Sequence, residues 1–349
     1  MRKMRTGNEF SSKEPIARWK LNSALFILLF LCMSVALCVG KYSVSISDCL
    51  GIIFSPILGI EGDWSSMTRS VILNLRLPRV LAAIVVGAAL SISGATYQGL
   101  FQNPLISPDF LGVASGACIG AATAILLSLG SAYIQLFAFL GGITAVAITT
   151  TIPKLLHSNS NIVLVLSGII VSGAMGSILG LLKYIADPMA KLAAITYWQM
   201  GSLSYIQFPS LLTVLAPISV SMAFLVLISW WINIISLGEK DAQTLGANVK
   251  RIRNLAIVAA TLLTASSVSI SGTIGWIGLV IPHFGRMIAG PDNRRLIPAS
   301  ALLGAIFLLF VDTVGRTVGS AELPLSILTG IIGAPFYAWL LYRTRTKLN

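Results

Sequence analysis

Charge is what this 349-residue sequence has least of. Aspartate and glutamate number 12, and charged residues of both signs make up only 10%, against roughly a quarter in soluble domains. So few acids, spread mostly through loops, do not supply the convergent carboxylates or nucleophile–base pair of a membrane-embedded enzyme. Neither of the two histidines, His157 and His283, has a ligand partner at metal spacing, and no HExxH occurs. Cys32, Cys38, Cys49 and Cys118 lack CxxC spacing and three of them lie in or beside apolar runs, which argues against disulfides and a metal centre. No GxxxxGK[ST] is present, so the chain cannot hold ATP phosphates in a Walker A loop. The 24 basic residues give a net charge of +12. They are dispersed among apolar segments and form no stripe with interleaved aromatics, so nucleic acid is not an expected partner.

Apolar residues are what the sequence has in quantity, 56% of the total with a mean hydropathy of +0.87, which makes membrane lipid the main solvent. A hydrocarbon core of about 30 Å needs about 20 apolar residues in helix. Ten segments approach that length: 22–40, 78–98, 109–129, 133–152, 161–182, 209–231, 254–271, 274–289, 297–314 and 324–342, the eighth being short. The expected organisation is all-α: a basic tail over 1–21, one membrane domain over 22–342 and a tail over 343–349. The basic start resembles a signal peptide, but the run 22–40 is long enough to span and no small-residue cleavage site follows it.

Starting inside, ten spans place 17 of the 24 basic residues and both termini on the cytoplasmic side. Arg76, Arg79 and Arg316 are among the seven left outside. Two outer segments, Ile46 to Ile60 and Leu192 to Phe208, are too apolar for ordinary loops and read as short interfacial helices. Small residues every four positions mark close helix contact. The second span has Ala83, Gly87, Ser91, Ala95 and Gly99. The fifth has Gly168, Ser172, Gly176 and Gly180, flanked by Ser167, Gly173 and Ser177, a face suited either to packing or to lining a path for a bulky polar solute.

Several blocks in order carry a specific resemblance. They are Arg76-Leu-Pro-Arg79, the run from Gln98 to Gly116 (QGLFQNPLISPDFLGVASG), Leu237 to Gly246 (LGEKDAQTLG), Gly272 to His283 (GTIGWIGLVIPH), Gly290 to Arg295 (GPDNRR), and Glu322-Leu-Pro-Leu with Gly333-Ala-Pro335. Together they resemble the FecCD family, the permeases of iron-chelate and cobalamin ABC importers, over nearly the whole chain. The resemblance implies a type II importer fold in a bacterial inner membrane. The implied cargo is a ferric siderophore, heme or related chelate, with cobalamin or molybdate as alternatives. Its implied partners are two ATPase subunits, which carry the ATP and Mg, an extracytoplasmic binding protein, and a second permease copy, identical or paralogous. No cofactor is expected on this chain.

The resemblance also assigns residues. The loop 237–254 is to dock into the ATPase through Leu237, Gly238, Glu239, Ala242, Leu245 and Gly246, with Ala242 and Gly246, four apart, allowing close approach. Arg76, Arg79 and Arg316 are to receive glutamates of the binding protein, a role suited to planar bidentate guanidinium. His157, Ser158 and Asn159 fall where the family closes its cytoplasmic gate. Outside these sets, Asp312 reads as an i,i+4 partner of Arg316, Asp109 as a helix-start charge, and His283 as a packing residue. An ion-coupled secondary transporter is the competing class, and it requires buried ion ligands at the midplane.

Overall fold

The computed structural model describes residues 18–59, 62–158, 160–319 and 321–345, and among them there is helix and no strand. Among the described residues, seven helices are long and apolar enough to cross a membrane. Each of the ten expected spans is occupied by helix, but the boundaries differ where proline, glycine or a polar turn interrupts the ladder.

The first helix, α1 (Arg18–Cys38), starts four residues earlier than the expected span. It is followed by α2 (Ile46–Leu58), capped by the Ser45 hydroxyl, which accepts from Asp48 N at 3.1 Å, and closed by Gly59 at φ 64°. The second span is far longer than expected, since α3 (Ser66–Ser70), a π-turn over Val71–Arg76 and α4 (Leu77–Leu100) run on as one rod of 35 residues. Pro78 explains the π-turn. Its ring lacks an N–H and crowds the carbonyl four residues back, so the ladder widens there and Leu77 N donates to Ile72 O, five residues away.

The third span begins four residues later than expected. Pro108 and Asp109 sit in a 3-10 turn, Pro108–Leu111, and Gly112 at φ 83° redirects the chain into α5 (Val113–Leu126). Fourteen residues of helix cover about 21 Å, short of the bilayer core. Asp109 therefore belongs to a turn and does not open the spanning helix. The chain continues through α6 (Ser131–Leu155), α7 (Asn161–Tyr184), with Ser160 as N-cap, and α8 (Lys191–Met200), one of the two short helices expected outside the spans. The sixth span breaks at Ile228 into α9 (Phe208–Leu227) and α10 (Ser229–Ile235). After α11 (Glu239–Thr244) come α12 (Val249–Ser271), α13 (Ile277–Ala289), α14 (Asn293–Thr317) and α15 (Leu325–Arg345).

Helix α4 is the hub, with most of its surface covered by α14, α12, α13 and α9. Its small residues make that possible. A Cβ at Gly94 would stand 1.9 Å from the Gly278 carbonyl oxygen, and one at Gly87 would stand 2.3 Å from that of Gly304. The backbones touch, which is how helices gain dispersion energy where lipid removes the hydrophobic drive. The same device joins α5 to α6, where a Cβ at Gly120 would meet the Phe137 carbonyl oxygen at 1.9 Å.

Candidate functional site

Three regions hold the residues singled out from the sequence. At the end of the bundle where α1, α4 and α14 meet, Arg76, Arg79 and Arg316 converge, and none of the three is an open cation. Arg76 is 6% exposed and Arg316 7%. Arg76 Nη1 donates to Leu37 O at 2.7 Å and Cys38 O at 2.9 Å, and Nη2 to Tyr42 O, while Arg316 Nη2 donates to Ala36 O. The last carbonyls of a helix have no partner of their own, so these two arginines serve as the C-terminal cap of α1.

Arg79 works differently. Its Nε donates to both oxygens of Asp312, at 2.9 and 3.0 Å, and its Nη1 to both oxygens of Glu322, also at 2.9 and 3.0 Å. Ser204 donates to Glu322 as well. Asp312 is fully buried. The i,i+4 pair of Asp312 with Arg316 is present but long, with Arg316 Nε 3.9 Å away because its guanidinium turns to the end of α1, and the closer partner is Arg79 on another helix. Burial works to raise the Glu322 pKa, but the hydrogen bonds from Arg79 and Ser204 prevail and hold it below the ordinary carboxylate value. Glu322 opens the Glu322-Leu-Pro-Leu block, to which the resemblance assigns no role. Being the acid of the short turn between two spans was the signal that it had one.

At the opposite end, Gly238 (φ 115°) and Gly246 (φ 81°) bracket α11. Beside it a cleft of about 570 Å³ is lined by Glu239, Gln243, Gly246, Lys250 and Arg253, among others. Leu237 and Leu245 are exposed, and no atom lies within 4 Å of a Cβ placed at Gly238 or Gly246. Ala242, in contrast, is fully buried in the chain's own core. The pairing of Ala242 with Gly246 as one close-approach face does not hold, because the left-handed turn at Gly246 ends the helix and turns that residue outward. On the same end Asp292 caps α14 and accepts from Arg294 and Asn233, and the Arg294 guanidinium, ahead of the other contacts, brings its pKa down to about 2.

The small-residue face of α7 divides. Ser167 and Gly168 are buried, and a Cβ at Gly168 would stand 1.8 Å from the Phe110 carbonyl oxygen. Ser172 Oγ is 3.3 Å from where a Gly112 side chain would begin. These three positions seat α7 on the 3-10 turn. Gly173, Gly176 and Gly180 meet nothing within 4 Å and lie on an exposed face of the chain. His157 takes φ 51° in the turn after α6, where the Ser158 hydroxyl accepts from Ser160 N. Asn159 lies outside the described residues.

Helices long and apolar enough to cross a membrane, packed backbone to backbone at glycine, define a polytopic membrane-protein fold. The chain belongs to the FecCD transport family, whose model it matches over residues 26–343. It is 36% identical over 332 residues to the molybdate import system permease protein MolB of Haemophilus influenzae, covering 95% of this chain and 98% of that one. It is 39% identical to the hemin transport system permease protein HmuU of Yersinia pestis, covering 81% and 88%. A solved structure described as an inward-facing metal-chelate type ABC transporter superposes with a TM-score of 0.83 at 36% identity, covering 93% of this chain and 99% of that one.

Proposed function

We propose that this chain is the permease subunit of an ABC importer that moves a ferric siderophore, heme or related metal chelate into a bacterial cytoplasm, driven by separate ATPases. The observation that carries the reading is its likeness, over most of its length, to a hemin permease and to a metal-chelate type transporter. Molybdate is the second reading, favoured by the match to nearly the full length of a molybdate permease.

In this reading both termini and the α11 end face the cytoplasm, where two ATPases dock through Leu237, Gly238, Glu239, Leu245 and Gly246, with Ala242 holding the segment from behind. Arg79 faces the binding protein, framed by Arg76 and Arg316. The open half of α7, at Gly176 and Gly180, lines the path against a second permease copy, and His157, Ser158 and Asn159 form its inner gate. ATP binding biases the two access states only through contacts that differ between them. Uptake of radiolabelled ferric siderophore, heme and molybdate by a deletion strain carrying this chain with its ATPase tests the reading. Molybdate uptake alone would move the assignment to the second reading. Concentration of cargo by the purified chain alone, using an ion gradient, would overturn both.

A further inference from the structure

At the α11 end, α6, the start of α7 and the first half of α12 leave a groove of about 620 Å³ between them. Its mouth carries three cations, Lys154 from α6 with Lys250 and Arg253 from α12. Arg253 reaches Glu239 at 3.5 Å through Nη2, while its Nε is buried with no hydrogen-bond partner, a donor left over for an anion. Deeper in, the walls are mainly apolar, with Ile143 and Val146 on α6 and Ile257 and Leu262 on α12, interrupted by Thr150 and Thr261.

The dimensions tell which anion fits. Lys154 to Ile143 along α6, and Lys250 to Leu262 along α12, each cover about 16 to 18 Å at 1.5 Å per residue. One leaflet of hydrocarbon is about 15 Å deep, half the core. We propose that this groove binds one anionic phospholipid, its phosphate held by Lys154, Lys250 and Arg253 and an acyl chain laid between α6 and α12. A small anion would use the rim and gain nothing from the trough. A zwitterionic lipid would use the trough and gain little from three cations. The groove does not include Gly176 or Gly180, so it is separate from the open face of α7, although His157 and Ser158 edge it.

The test is native mass spectrometry of the full chain in neutral detergent, with phosphatidylglycerol and phosphatidylcholine of identical acyl chains offered at equal concentration. Phosphatidylglycerol should be retained at least tenfold better, and glycerol 3-phosphate in equimolar amount should not displace it. Lys154→Ala should weaken retention about fivefold, the worth of one cation near an anionic headgroup, and Lys154→Arg should restore it. Ala147→Trp, which fills the trough, should remove the lipid. Equal retention of the two lipids, a comparison that needs no variant, overturns the proposal. Displacement by glycerol 3-phosphate would make the rim a small-anion site, and displacement by a polyglutamate peptide would make it a protein contact; either result overturns it too.

Discussion

Arg79 grips Asp312 with two guanidinium nitrogens and Glu322 with the third, so one side chain of α4 ties α14 to the turn that leads into α15. Asp312 has no contact with solvent, and an uncompensated charge left at such a place costs about 3 to 5 kcal/mol. Arg79→Met, which strands that carboxylate, should therefore lower stability by that amount in detergent unfolding. Arg79→Met/Asp312→Leu together should recover most of it. An unchanged unfolding midpoint in the single variant would show that the pair is not holding the helices.

Glu322 is the exposed member of the cluster, and its depressed pKa fixes the sign of its pH dependence. Its contribution is fully present above the ordinary value of 4.5 and is lost as the pH falls through the lower folded value. The wild-type unfolding midpoint should drop as the pH falls below 4.5 more steeply than that of Glu322→Gln. Parallel curves would remove the assignment.

The same carboxylate occupies the guanidinium that a binding-protein glutamate is proposed to reach. Freeing Arg79 with Glu322→Gln should tighten docking roughly tenfold, the worth of a charged hydrogen bond, while Arg79→Lys, which keeps a cation beside Asp312 but loses the planar fork, should weaken it by about the same factor. Surface plasmon resonance against the cognate binding protein reads both. Charge reversal at Arg76 or Arg316 is a poorer probe, because it would set a carboxylate against the α1 carbonyls and damage the fold.

Two glycines of α7 separate packing from passage. Gly168→Leu drives a side chain into the Phe110 carbonyl and should cost at least 1 to 3 kcal/mol. Gly176→Leu meets open space and should leave the unfolding midpoint unchanged while lowering uptake. Normal uptake in Gly176→Leu would take the open face out of the path.

At the other end, Leu245→Glu changes an exposed residue and should weaken ATPase co-purification while the permease stays folded. Ala242→Leu, which overfills a buried position, should instead destabilise the permease itself. If both variants lose the ATPase and keep the unfolding midpoint, the α11 segment docks by a different face.

Where the sequence could be read depended on how local the controlling physics is. The helices α6, α7 and α14 were placed to within four residues at each end, because long apolar runs mark a span without reference to anything else. The breaks at Pro108 to Gly112 and at Ile228 were missed. Ile228 leaves no mark on its apolar run, and Pro108, Asp109 and Gly112 signal a turn without fixing how far it extends, so only the tertiary contacts decide where the ladder opens. The stripe on α4 was read correctly as packing. The similar stripe on α7 could not be divided, since Gly168 and Gly176 look alike until the 3-10 turn is seen to lie against one of them.

Composition and motif order alone determined that this is an all-α membrane protein of a transport family, because hydropathy acts along the chain and motifs keep their sequence. Only the tertiary structure decided that Arg79, not Arg316, is the close partner of Asp312, 233 residues away in the chain, and that Arg76 and Arg316 close α1. Helices apolar on nearly every side carry little record of which face turns inward, so their rotation, and with it the pairing of their few charges, is fixed by backbone contact at glycine.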